Sequence, residues 1–220
     1  MTETTITVRG TARVEHEPDR AEVSFTVAAT GAEREAVLDA ARASADRAAD
    51  ALAALEAAGR LAGWSLDDLR VHAEREWVGE QRSPVLRHRA AVSGAVRLVA
   101  ANLDALPEVL DLLSSDPLVQ VHGVDWSLDD AVRADAMDAV RDAAVRDAVR
   151  AAQAYARSLG RASVDVVAIA DAGMLGEDGP MPRMDRMMLT AAAAGGAGAV
   201  ELRPEPIELR TTVELRAIAR

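Results

Sequence analysis

The chain contains no cysteine. That absence excludes disulfides, thiolate nucleophiles, iron–sulfur clusters and zinc–thiolate sites together. Lysine is also missing, since all 25 basic residues are arginine, so neither a Schiff-base lysine nor a P-loop lysine exists. Aromatic residues are few: three Trp, one Tyr and one Phe in 220 residues. No apolar run reaches the roughly 18 residues that a membrane-spanning helix needs. Acidic residues number 36 and bring the net charge to -11. That sign opposes non-specific binding to phosphates and favours solubility; no nucleic-acid partner is expected. The opening Met1–Gly10 has no basic start, apolar stretch or small-residue cleavage site, and cytoplasmic residence is the expectation for the chain as written.

What is present is apolar residues in periodic patterns, which argues against disorder. Alanine supplies 48 residues, while Leu, Ile, Val and Phe together supply 50. Alternation predicts strands over 4–14 and 20–29, with Glu17-Pro18-Asp19 as a turn between them, so the two are expected to form an antiparallel hairpin. Further strands are expected at 69–78, 87–100, 119–126, 163–170 and from Ile207 to the end. Helical spacing of three and four predicts helices over 33–57, 103–114 and 129–159, with Gly59 and Gly160 as C-terminal stops. Ser65–Asp68 reads as a turn or short helical cap, and 78–85 as a loop.

The order β-β-α-β-β-α-β-α-β-β predicts an α+β fold. A largely antiparallel sheet would have amphipathic helices packed on one face, in a single domain over 1–220. The 33–57 and 129–159 helices are expected on the same sheet, where small Ala side chains would let them lie close. The longest helix presents Met137, Val140, Ala144, Ala148, Ala151, Tyr155 and Leu159 as its apolar stripe. The expected core comprises Val8, Val23, Phe25, Leu38, Leu52, Leu55, Val96, Leu110, Val121, Val140, Tyr155 and Val213.

Several ordered motifs resemble the SIMPL (DUF541) family, whose bacterial members include periplasmic immunogenic proteins. The start carries Ile6, Val8, Gly10, Val14, Pro18, Asp19, Ala21 and Val23. The strand His88–Val96 follows, then Val121, Gly123, Val124, Trp126, Leu128 and Asp129, the helix end Leu159-Gly160, and the closing strand after Pro206. The resemblance runs over about 4–218. Pro204-Glu-Pro206 departs from it, because the family has a Gly before the last strand. Most bacterial relatives carry an export signal. The resemblance implies an α+β fold, ring-like or channel-like oligomers in some members, and links to stress and the cell envelope. It supplies no catalytic residue.

Motifs for chemistry are sparse. There is no G-x-S-x-G, and Ser93 lies inside a strand. Gly195-Gly-Ala-Gly198 precedes a strand rather than a helix and reads as a linker. His16, His72, His88 and His122 lie on separate strands without metal spacing. His88 is expected opposite Glu76 as a surface ion pair. Asp67-Asp68 and Asp129-Asp130 read as helix starts, where anions suit the dipole. The unusual feature is an irregular Met/Ala/Gly-rich segment at 171–205, holding Met174, Met181, Met184, Met187 and Met188. Its thioethers suit a fold-back contact, a self-assembly or partner contact, or a soft ion such as Cu(I). The reading is a non-enzymatic SIMPL-type scaffold or interaction module, a homo-oligomer with no cofactor. The alternative is a small-ligand or soft-metal-binding stress protein.

Overall fold

The computed structural model describes residues 3–78, 83–175 and 204–220. In chain order its elements are β1 (Thr4–His16), β2 (Arg20–Gly31), α1 (Arg34–Ala57), β3 (Gly63–Leu66), β4 (Arg70–Val78) and β5 (Ser83–Val99). Then come α2 (Leu106–Ser114), β6 (Val119–Ser127), α3 (Asp130–Ser158), β7 (Val164–Asp171) and β8 (Ile207–Ala219). The α+β class and the expected order hold. β3 adds one short strand where a turn or cap was expected. Asp67 follows it, donating its N–H to the Ser93 carbonyl at 2.8 Å, so no helix starts there.

The chain forms two compact units, one made of Met1–Glu17 with Asp129–Arg220, the other of Pro18–Leu128. Each has its own antiparallel sheet, and this corrects two expectations. β1 does not pair with β2. It runs against β8 from Thr4↔Ala219 to His16↔Ile207, while β2 lies between β5 and β6. Nor do the 33–57 and 129–159 helices share a sheet, since α1 packs in the unit of β2 and β5 and α3 in that of β1 and β8. The Glu17-Pro18-Asp19 turn is short enough for a hairpin, but a thirteen-residue register with β8 offers β1 a longer ladder.

The first unit has strand order β1-β8-β7. Ile6 and Val8 of β1 and Val213, Leu215, Ala217 and Ala219 of β8 form a core with Ala144, Ala148, Ala152 and Ala156 of α3. The buried row of α3 advances by four residues, from Ala136 through Val140 to Ala156. Gly10 explains why alanines occupy it. A Cβ at Gly10 would overlap the Ala144 carbonyl oxygen and the Ala148 nitrogen, and would stand 2.8 Å from Ala148 Cβ. The helix backbone therefore lies directly on the strand, leaving no room for Tyr or Leu between them. Tyr155 and Leu159, expected on the buried stripe, are 60% and 58% exposed.

The second unit has order β3-β5-β2-β6, with β4 also paired to β5. α1 and α2 both contribute to its core, which joins Leu52, Leu106, Val109 and Leu113 to Val23, Phe25, Val27, Val96 and Leu98. Leu55, Leu110 and Val121 pack against this core but stay partly exposed. The only Phe in the chain faces Gly94 across the β2–β5 ladder. A Cβ at Gly94 would come within 2.5 Å of the Phe25 ring and 2.8 Å of Leu66. The Asp19 N–H donates to the Ser127 carbonyl at 3.1 Å, so the chain enters and leaves this unit on adjacent strands.

Both long helices end in a Schellman motif. Gly59 and Gly160 have φ of 73° and 70°, the left-handed region that glycine enters without a Cβ penalty. α3 begins as expected, with the Ala131 N–H donating to Asp129 Oδ1 at 2.8 Å.

The packing predicts a steep contrast in urea unfolding. Phe25→Ala removes a fully buried ring and is expected to cost about 3–5 kcal/mol. Gly94→Ala overpacks the same contact and is expected to cost about 1–3 kcal/mol. Tyr155→Ala should change stability by no more than about 0.5 kcal/mol. A loss at Tyr155 comparable to that at Phe25 would contradict the assignment of the α3 face.

Candidate functional site

Three polar groupings stand out among the described residues. The first lies in the second unit, where Ser44 occupies the apolar stripe of α1 between Ala41 and Ala48 and is fully buried. A buried hydroxyl needs a partner, and Ser44 donates to Asp116 Oδ2 at 2.9 Å. The same oxygen accepts from Arg47 Nη2, while Oδ1 takes the Leu118 N–H at 2.9 Å. Asp116 thus closes an Asx turn after α2 and ties that turn to α1. Its carboxyl is held below the ordinary range, first by the Leu118 amide, then by Arg47 and Ser44, with burial opposing them. Beside it is a pocket of about 220 Å³ lined by Ala48, Ala51, Leu112, Leu113 and Val119 along with the polar groups. That is smaller than the roughly 300 Å³ at which small-molecule sites begin. The Asp116 carboxylate is already satisfied by three donors, so the arrangement locks a turn.

The second grouping surrounds Glu214 of β8, which is 7% exposed. Arg9 Nε donates to its Oε1 at 3.0 Å, with Nη2 of the same ion pair 2.9 Å from that oxygen, and the Leu175 N–H donates to Oε2 at 3.2 Å. The Gly173 and Leu175 amides hold this carboxyl below its ordinary range, Arg9 adding to them. The third is a pair on the exposed face of the second sheet, where Thr26 Oγ1 and His122 Nε2 lie 2.7 Å apart. The β2–β6 register shifts between Ser24 and Phe25, leaving His122 as the extra residue of a bulge. A hydroxyl beside an imidazole is half of a nucleophile–base arrangement. Nucleophilic catalysis also requires a group to orient the ring and a concave site.

The expected site residues are placed as follows. Met174 follows β7 and is 74% exposed. Met181, Met184, Met187 and Met188, with most of the 171–205 segment, lie outside the described residues. The four His remain on separate strands, and the register sets His88 opposite Ala73 and Glu76 opposite Val85, rather than His88 opposite Glu76. No group of three or more His, Asp or Glu residues suited to a metal occurs among the described residues. No described helix is long and apolar enough to cross a membrane. Asp116, Ser44 and Glu214 were not anticipated. A serine on an alanine–leucine stripe is a legible sign of a buried hydrogen bond, and Asp before Pro is a turn signal. Glu214 carries no such sign, since alternation alone assigns it to an open face.

A family model described as a protein of unknown function (DUF541) matches residues 6–217, nearly the whole chain. The chain belongs to the SIMPL family. Among curated proteins none matches it. Three positions of the SIMPL resemblance acquire physical roles here. Gly10 admits α3, Asp129 caps it, and the Leu159-Gly160 pair ends it.

Asp116→Asn is expected to lower the stability of this SIMPL protein by about 1–3 kcal/mol at pH 7, through weakened acceptance from Ser44 and Arg47. Asp116 has a folded pKa below its ordinary 3.8. Its contribution is therefore complete above that value and is lost as pH falls through the lowered one. The gap between wild type and Asp116→Asn in urea midpoints should close in acid. A gap independent of pH would show that the charge contributes nothing.

Proposed function

We propose that this SIMPL-domain protein acts without chemistry of its own, as a module that assembles with further copies of itself. The supporting observation is the exposed apolar residues of β7, around the bulge between Val166 and Ala168. Among the described residues that strand ends the β1-β8-β7 sheet, and Val166, Val167 and Ile169 are 48%, 52% and 48% exposed on it. Apolar side chains on a terminal strand invite pairing with another chain. The opposite side of the sheet differs, because the Thr11 N–H of β1 donates to Asp147 of α3 at 3.1 Å. The links to stress and the cell envelope rest on family resemblance, and they belong to this reading as the process that the assembly would serve.

Sedimentation velocity of the full chain at micromolar concentration tests the reading. The expected result is an assembly for the wild type and a smaller particle for Val167→Lys, with unchanged circular dichroism, because an edge lysine blocks strand addition. A wild-type chain that sediments as a monomer would refute the proposal. Stoichiometric retention of Cu(I) by such a monomer would favour the small-ligand or soft-metal reading.

A further inference from the structure

The chain leaves β7 through a tight turn. The Met174 N–H donates to the Asp171 carbonyl at 3.1 Å, and Gly173 adopts φ of 87°. The next peptide is held on both sides by β8. Leu175 donates its N–H to Glu214 Oε2 at 3.2 Å, and its carbonyl accepts from Arg216 Nη2 at 2.8 Å. Glu214 and Arg216 are two residues apart and share one face of the strand. Val213, Leu215 and Ala217 alternate with them and pack with α3. The turn therefore crosses the sheet face opposite α3, and it covers a carboxylate that alternation would leave wet.

We propose that Glu214 and Arg216 form a charge-dependent latch on the Leu175 peptide, which sets the course of the chain as it leaves β7. Among the described residues, the charged groups facing Glu214 are Arg9, opposite it on β1, and Arg216 on β8 itself. β7 places Ala170 opposite it, with no charge. The turn contributes backbone amides. An ionised carboxylate accepts from Arg9 and from the amides together, and charge-assisted bonds of this kind are about twice as strong as neutral ones. Protonation removes that advantage and leaves Arg9 facing a neutral group. Since the carboxyl lies below its ordinary 4.5, the latch is closed at and above that pH and opens as pH falls through the lowered value.

Amide hydrogen exchange by NMR on the full chain reads the latch directly, with the Leu215 amide reporting the sheet. In the wild type, protection of Leu175, corrected for intrinsic rate, should be equal at pH 7 and pH 5. Glu214→Gln imitates protonation without changing shape. It should raise Leu175 exchange about tenfold or more at pH 7, with Leu215 unchanged. Arg216→Gln, which leaves Glu214 and Arg9 in place, should raise exchange at Leu175 by a smaller factor. Equal Leu175 exchange in the wild type and both variants overturns the latch. A parallel rise at Leu215 in both variants also overturns it, because the two residues would then be supporting the sheet rather than holding the turn.

Discussion

The approach of α3 to β1 across Gly10 governs the first unit. A glycine at that point lets the Ala144 and Ala148 backbone rest on the strand, and the close contact dictates which side chains fit on the helix face. Alanines at 144, 148, 152 and 156 fill the narrow space, while Tyr155 and Leu159 turn outward. Dispersion between backbone and small side chains at short range replaces the bulk that larger residues supply elsewhere. The alanine row of α3 is thus a condition of this contact. The second unit uses a related device at a single point, with Gly94 making space for the only Phe in the chain.

A common electrostatic pattern links the two units. In each, one partly or largely buried carboxylate accepts from the backbone of a turn and from an arginine, Asp116 with Arg47 and Glu214 with Arg9. Arginine suits this task because its planar fork donates in fixed directions. Both carboxylates are held below their ordinary range and act as acceptors across the neutral range. That electrostatic setting anchors turns and differs from the raised, near-neutral values that general acids and bases require.

Much of the local structure was legible in the residues. Alternation and helical spacing located every strand except β3, and the three helices, to within a few positions, and Gly59, Asp129 and Gly160 marked helix ends through known cap chemistry. Pairing was not legible. The turn at 17–19 predicts a hairpin from local chemistry, yet β1 joins β8 nearly two hundred residues away, and alternation carries no label for the partner strand. The α3 face was misassigned for a related reason. Hydrophobicity ranks Tyr and Leu above Ala, but the buried row was decided by the distance to Gly10, a property of the packed pair. Of the turn anchors, Ser44 and Asp116 left a trace in the sequence, while Glu214 became recognisable only once the turn was seen to cover it.

The Gly10 contact is tested by a single comparison. Gly10→Ala and Gly123→Ala are unfolded in urea and followed by circular dichroism. A Cβ at Gly123 meets nothing within 4 Å, so that variant controls for the loss of a strand glycine and should stay within about 0.5 kcal/mol of the wild type. Gly10→Ala must displace helix backbone and should lose about 3 kcal/mol. Equal midpoints for the two variants would contradict the claim that close approach at Gly10 holds α3 to its sheet.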